Sequence, residues 1–338
     1  MLYVTTRNHQ DAHTTRHVLA ENRGPEGGLY VPLHLPKLSE KEIHRFLQLP
    51  FGACVAEVLN LFFSTRLTGW DVDFSVGRYP VRLEQLPHKI FMAETWHNPG
   101  WQFQRLEKNL MELLEAEADL PGNWGSVAVR MAVLAGILGS SELLGAESVD
   151  VAMVAGDFTW PISAWYLRKM GFPVGNLICG CNENNRFWDL LCNGQMRTDD
   201  GHLCTIVPEA DVALPVNLER LISACGGVLE TERYLDCCQR AAVYSVSETM
   251  LQQLRQGLYA NVISSIRVET TIPNVYKTHK YVLSPSSALA YSGLLDYRAK
   301  TGIARPVVIL CDESPVCQAQ TVAGLMDMPA AELKNLIG

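Results

Sequence analysis

The order of hydrophobic and polar positions switches repeatedly between a period near 3.6 and short continuous apolar runs. Leu2 to Thr5 reads as a short strand and Thr14 to Asn22 as a helix. The turn-rich segment Arg23-Gly-Pro-Glu-Gly-Gly-Leu-Tyr-Val-Pro32 follows, its paired glycines giving backbone freedom before an extended stretch. Ser39 with Glu42 three residues on forms a capping box that opens a helix to Leu47. Val55, Val58, Leu59 and Phe62 give the next helix, from Gly52 to Phe63. Leu67 to Lys89 is irregular, with short strands and loops expected. Phe103, Leu106, Leu110, Leu113 and Leu114 then form one stripe of a helix over Trp101 to Glu117.

The second part alternates more regularly. Helices are expected at Val127 to Leu138, Pro161 to Met170, Asn184 to Asn193, Asn217 to Ala224, Ser247 to Gly257 and Ser286 to Thr301, with two more at the end. Strands are expected at Val149 to Ala155, Asn176 to Cys181, Tyr281 to Leu283 and Val307 to Leu310. Strands alternating with helices through short connections predict an α/β class with a parallel sheet covered on both faces. Ligands in such sheets sit at the carboxyl ends of the strands, so the loops after Ala155, Cys181, Leu283 and Leu310 are where chemistry is expected.

Composition narrows the functions. The net charge of -8 and the absence of a Lys/Arg-rich run argue against a nucleic-acid partner. No stretch approaches the ~18 apolar residues a spanning helix needs, and the start of the chain lacks a secretory pattern, so a cytoplasmic protein without a membrane role is expected. The ten cysteines are scattered through apolar segments and read as reduced thiols. Cys179-Gly-Cys181 and Cys237-Cys238 lack a second pair at zinc spacing, and no metal is expected there. His9, His13 and His17 would stack on one face if that segment were helical, with a solvated face as the plainer reading.

Several ordered motifs carry a family resemblance. Tyr3-Val-Thr-Thr-Arg7 and Gly24-Pro-Glu-Gly-Gly-Leu-Tyr-Val-Pro32 are similar to the opening of threonine synthases. Ala155-Gly-Asp-Phe-Thr159, Leu167-Arg-Lys-Met-Gly-Phe-Pro173, Asn182-Glu-Asn-Asn-Arg-Phe187, Asn217-Leu-Glu-Arg-Leu221 and Ser284-Pro-Ser-Ser-Ala288 resemble later segments of the same family, in order. The resemblance implies a tryptophan-synthase-beta-like (fold type II) sheet. It divides the chain into a threonine-synthase-like N-terminal region over 1–100 and an α/β domain over 101–338. It also implies an ancestry among pyridoxal phosphate enzymes that make threonine from O-phosphohomoserine.

Three departures from the family pattern argue against that cofactor here. His97-Asn-Pro-Gly-Trp-Gln-Phe-Gln-Arg105 stands where the family carries its cofactor lysine, and Gln104 takes the lysine's place; an amide forms no Schiff base. Asp157 and Thr159 replace an asparagine and a glycine of the phosphate loop, and a carboxylate there opposes a phosphate dianion. Only about twenty residues separate Gln104 from the next helix, too few for the family's small βαβ domain of at least ~30 residues, which is expected to be largely deleted.

The expectation is therefore a threonine synthase-like protein without pyridoxal phosphate, repurposed toward an amino acid or analogue. The polar set expected in the cleft has His97, Arg105 and Glu183 in catalytic roles. Asn98, Gln104, Asp157, Thr159, Asn182, Asn184, Arg186, Ser286 and Ser287 are expected to bind the small molecule. One alternative is a non-catalytic subunit, in a homodimer or with a partner protein, using Trp101, Trp124 and Trp160 as contact surface. Another is a lyase that holds the cofactor on a displaced lysine, with Lys169, Lys277 and Lys280 as candidates.

Overall fold

The structure, a computed structural model, describes residues 1–97, 102–116 and 120–337. A six-stranded sheet organises it. In chain order its strands are β4 (Arg82–Leu86), β5 (Ile90–Glu94), β6 (Val149–Val154), β7 (Val174–Cys181), β10 (Leu258–Val262) and β11 (Val307–Cys311). The spatial order is β10-β7-β6-β11-β5-β4, parallel throughout except for β4, which pairs antiparallel with β5. A small antiparallel sheet of β1 (Leu2–Thr5), β2 (His13–Thr14) and β3 (Tyr30–Pro32) lies at the N-terminus, and β8 (Gln195–Arg197) pairs with β9 (Val243–Ser245).

The helices are α1 (Thr15–Ala20), α2 (Glu40–Leu47), α3 (Phe51–Phe62), α4 (Gly69–Val76), α5 (Phe103–Leu113), α6 (Trp124–Leu138) and α7 (Thr159–Met170). They continue with α8 (Arg186–Asn193), α9 (Leu218–Gln239), α10 (Glu248–Leu254), α11 (Ser265–His279), α12 (Pro285–Thr301), α13 (Ala319–Leu325) and α14 (Ala330–Ile337). No helix of the described residues is long and apolar enough to cross a membrane.

Side-chain alternation splits the sheet between two cores, as a period of two requires. Phe91, Val151, Met153, Leu177 and Leu310 face one apolar cluster, while Met92, Ala152, Ile178 and Ile309 face the other. The first layer holds α3, α6 and α7; the second holds α11 and α12. Helix α6 is buried on every side except at Ser126 and Arg130, as its largely apolar sequence demands. Against the other face α12 approaches so closely that a Cβ at Gly180 would meet the Leu289 carbonyl at 3.1 Å, so glycine is the residue that fits β7 there.

The α/β reading holds, with local differences. β5 and β10 were not foreseen: each is only five residues long, and polar Asn261 and the terminal Glu94 blur the pattern of a buried strand. Tyr281 to Leu283 is no strand; the segment instead ties to the sheet when the Tyr281 hydroxyl donates to Glu94 Oε1 at 3.0 Å. Helix α4 sits in the irregular region, started by a capping box of Thr68 and Asp71 that the irregular apolar spacing conceals. Helix α9 runs well past Ala224 and is kinked at Gly227, whose φ is 73°. His13 lies in β2, so no helical face gathers the three histidines. β4 and β5, from the first hundred residues, pair into the same sheet as β11. Between α5 and α6 only a short link occurs, part of it outside the described residues, and the described residues hold a single parallel sheet.

Candidate functional site

Strand order reverses between β6 and β11: from β6 the chain moves outward through β7 and β10, then returns to place β11 on the other side of β6. Loops at the carboxyl ends of two such strands diverge and leave a crevice, the usual ligand position in an open α/β sheet. Here the crevice is bounded by Ala155 to Thr159 after β6 and Asp312 to Ser314 after β11. Its described polar groups are unusually acidic.

Asp312 follows β11 directly. It accepts hydrogen bonds from the Trp160 indole and, at 3.0 Å, from the Thr95 hydroxyl. Burial pushes its carboxyl up to about 6, against the pull of Arg130 and of those two donors. Glu209, on the turn of Pro208–Ala210, is pushed up to about 8, first by burial and then by Asp312 and Glu313, with Ser286 pulling the other way. Arg130, projecting from α6, forms an ion pair with Glu107 of α5 and lies over the rings of Phe103 and Trp160. Burial alone lowers the Arg130 guanidinium, but Glu107, Asp157 and Asp312 outweigh it and hold the group above its ordinary value. Two carboxyl groups separated in pKa and close enough to perturb one another are an arrangement suited to moving a proton near neutral pH.

The start of α7 is occupied by the protein's own anion. Asp157 Oδ1 accepts from the Thr159 amide at 2.9 Å, and the Thr159 hydroxyl donates to Asp157 Oδ2 at 2.6 Å. Asn217 Nδ2 donates to the Thr159 hydroxyl at 2.8 Å, completing the local set. Phe158 takes a left-handed conformation at φ 70° to turn the chain into the helix. Beside Gly156, toward the end of β7, a separate small pocket of about 10 Å³ is lined by Ala155, Cys181, Asn184 and Phe187.

The residues expected to form one site divide into separate groups. Glu183 accepts from the Ser265 amide at 2.8 Å and its hydroxyl at 3.1 Å, so it caps the start of α11. Asn182 and Asn184 both donate to Asp211 Oδ1, at 2.7 and 3.2 Å, which pins the loop that carries Glu209. Arg186 is clamped to Asp199 and the Gly201 carbonyl. Ser286 and Ser287 lie at the start of α12, each 3.1 Å or less from the capping hydroxyl of Ser284. Gln104 and Arg105 stand exposed on the first turn of α5, with no side-chain hydrogen bond or ion pair among the described residues. His97 is 40% exposed, with Nδ1 3.9 Å from Glu94 Oε2, and it faces a different cavity, on the β4 flank. Asn98 and Trp101 lie outside the described residues.

Of that set, Asp157 and Thr159 bond to each other at the edge of the crevice, and Ser286 bonds to Glu209. Its strongest titrating groups, Glu209 and Asp312, were not singled out. The loop after Leu310 had been marked as a place for chemistry, which contains the signal for Asp312; nothing in Val207-Pro-Glu-Ala210 signals Glu209.

The N-terminal motifs have a different role. Glu219, buried on α9, accepts from Thr6, pairs with Arg7 at 3.2 Å and lies 3.7 Å from Arg23. Its neighbour Arg220, fully buried, donates to the Tyr30 carbonyl at 3.0 and 3.1 Å and to the Gly122 carbonyl at 2.7 Å. Segments some two hundred residues apart in sequence therefore close as one clasp, which satisfies each buried charge.

A mostly parallel sheet with this strand order, helices on both faces and a crevice at the reversal point define an α/β protein of the fold type II class. The chain is similar to threonine synthases in its N-terminal segment and shares their fold. Residues 2–75 match the family model described as threonine synthase N terminus. The chain is 26% identical to threonine synthase-like 1 of Homo sapiens over 176 residues, which cover 50% of this chain and 24% of that protein. The match thus spans about a quarter of that relative's length. It is 21% identical to threonine synthase of Pseudomonas aeruginosa, covering 98% of this chain and 92% of that one. That alignment runs over 435 positions, more than the 338 residues here, so the relative has segments without a counterpart. Among solved structures, threonine synthase from yeast superposes with a TM-score of 0.84 at 14% identity, covering 99% of this chain and 93% of the other. The PLP-bound threonine synthase from Brucella melitensis gives 0.83 at 18%, covering 100% and 94%.

Proposed function

We propose that this threonine synthase-like protein works without pyridoxal phosphate and uses the crevice between β6 and β11 to hold an amino-acid-like molecule by its ammonium group. The observation that carries the reading is the carboxylate set of Asp157, Glu209 and Asp312, where a phosphate-bearing cofactor would need amide donors and a lysine. The residues present do not fit the cofactor. The α7 amide that would meet a phosphate is taken by Asp157, and Gln104 is exposed. Lys277 and Lys280 are exposed at the end of α11, with Lys280 over the Tyr276 ring, and Lys169 is exposed over Trp165. None of these lysines is placed in the crevice by a contact.

An ammonium group suits the crevice because Asp312 is ionised above about 6 while Arg130 is already engaged by Glu107. Glu209, protonated below about 8, supplies a proton at neutral pH, and Asp312 can accept one. Any turnover is thus acid–base chemistry on an amine-bearing substrate. The test is calorimetric titration of amino acids and of the matching amines into wild type, Glu209→Gln and Asp312→Asn. Binding that weakens in Asp312→Asn supports the reading; equal affinity in all three proteins, or no binding of any amine, overturns it.

A non-catalytic role in contact with a partner chain has one observation of its own. Trp124 and Trp160 are buried and offer no surface. Trp70 and Phe74 on α4 are instead 70% and 79% exposed and stacked at 5.2 Å, which favours an aromatic contact face there.

A further inference from the structure

A cavity of about 500 Å³ lies away from the crevice, on the β4 flank of the sheet. It lies between the turn into α3, the loop from α4 to β4, and the end of α6. Its size is within the range of about 300–1,000 Å³ usual for small-molecule sites. Leu49, Phe51, Leu83 and Ile137 give it an apolar lining.

Its charges are of both signs. Arg82 is neutralised by a bidentate pair with Glu94, at 2.8 and 3.2 Å. Arg78 is exposed and has no ion pair or hydrogen bond among the described residues, so it is the available cation. Glu142 also lines the cavity, also without a partner among the described residues, and stands just beyond the carboxyl end of α6. The partial negative charge of that helix end adds to its field. Ser140 also lines the cavity, and its hydroxyl is buried without a hydrogen-bond partner among the described residues. A buried hydroxyl left unpaired costs about 1–3 kcal/mol.

These features select among ligand classes. A simple anion meets Glu142 and the helix end; a simple cation meets Arg78; a wholly apolar molecule leaves both charges without a counter-charge. We propose that the cavity is a binding site for a zwitterion with an apolar body, an apolar α-amino acid, whose carboxylate pairs with Arg78 and whose ammonium lies toward Glu142 and the end of α6. The inference does not rest on the reading of the crevice.

Methyl-labelled protein titrated with L-phenylalanine, 3-phenylpropionate and phenethylamine, followed by NMR, tests it. The zwitterion should shift the methyls of Leu83 and Ile137 and bind at least about tenfold more tightly than either half-molecule. Arg78→Ala should remove its advantage over phenethylamine, and Glu142→Gln its advantage over 3-phenylpropionate; both side chains are exposed, so both variants keep the fold. Equal binding of the three probes overturns the proposal. So does an absence of shifts at millimolar probe, or shifts confined to Val207 and Val212 beside the crevice.

Discussion

Replacing Glu209 by glutamine is expected to change how stability depends on pH. Burial and the nearby Asp312 and Glu313 carboxylates move Glu209 from 4.5 to about 8 in the folded protein. A carboxyl group raised on folding favours the folded state fully below its unfolded pKa, and that contribution is lost as pH rises through the folded value. The window therefore runs from about 4.5 to about 8, with stability falling as pH rises. Each unit corresponds to about 1.4 kcal/mol, which sets a ceiling near 5 kcal/mol; relaxation and water access to a half-buried side chain reduce this to about 2 kcal/mol. Glutamine keeps the shape and cannot ionise. Urea unfolding of wild type and Glu209→Gln at pH 5, 7 and 9 measures the effect, and the difference between the two proteins cancels other titrating groups. Glu209→Gln should gain on wild type by about 2 kcal/mol between pH 5 and 9. A difference that stays flat with pH, or a variant that loses ground as pH rises, would refute the placement of Glu209 among buried carboxylates.

Three further outcomes are expected. Glu219→Ala leaves Arg7 and Thr6 without their shared acceptor in a buried clasp and should cost about 3–5 kcal/mol, read from the urea midpoint. Tyr3→Phe removes the donor to the Phe62 carbonyl at 2.7 Å in the core and should cost about 1–2 kcal/mol by the same measurement. Asp157→Ala removes the acceptor of the Thr159 amide and hydroxyl at the start of α7 and should cost about 1 kcal/mol, and a neutral change would show that the carboxylate does not hold that turn.

How much of this was legible beforehand depended on whether local pattern or distant neighbours decided each feature. Val149 to Ala155 and Val127 to Leu138 are apolar runs broken only by Asp150 and by Arg130, as a doubly covered strand and a buried helix require, and both lie where expected. The capping box at Ser39 likewise fixed the start of α2. By contrast β10 is an edge strand with alternating partial exposure, and Gly227 allows α9 to kink and continue. The site was legible at its loops and in Asp157 and Thr159, but not in Glu209 or Asp312. Glu183, Arg186, Asn182 and Asn184 have the residue types of a polar pocket, yet each is used to hold a loop or a helix end. Which carboxylates crowd one another depends on the turn of Pro208–Ala210 folding back toward β11, and no short-range spacing encodes that.

The central claim is that the crevice holds no pyridoxal phosphate, and the most direct measurement is the absorbance spectrum of the protein titrated with the cofactor. Borohydride reduction and peptide mass analysis complete it. The account predicts no Schiff-base band beyond that of surface amines, no saturable binding, and no specific adduct. A saturable band trapped at a single lysine, such as Lys277 or Lys280, would contradict it and make the protein a cofactor-dependent enzyme with a displaced lysine.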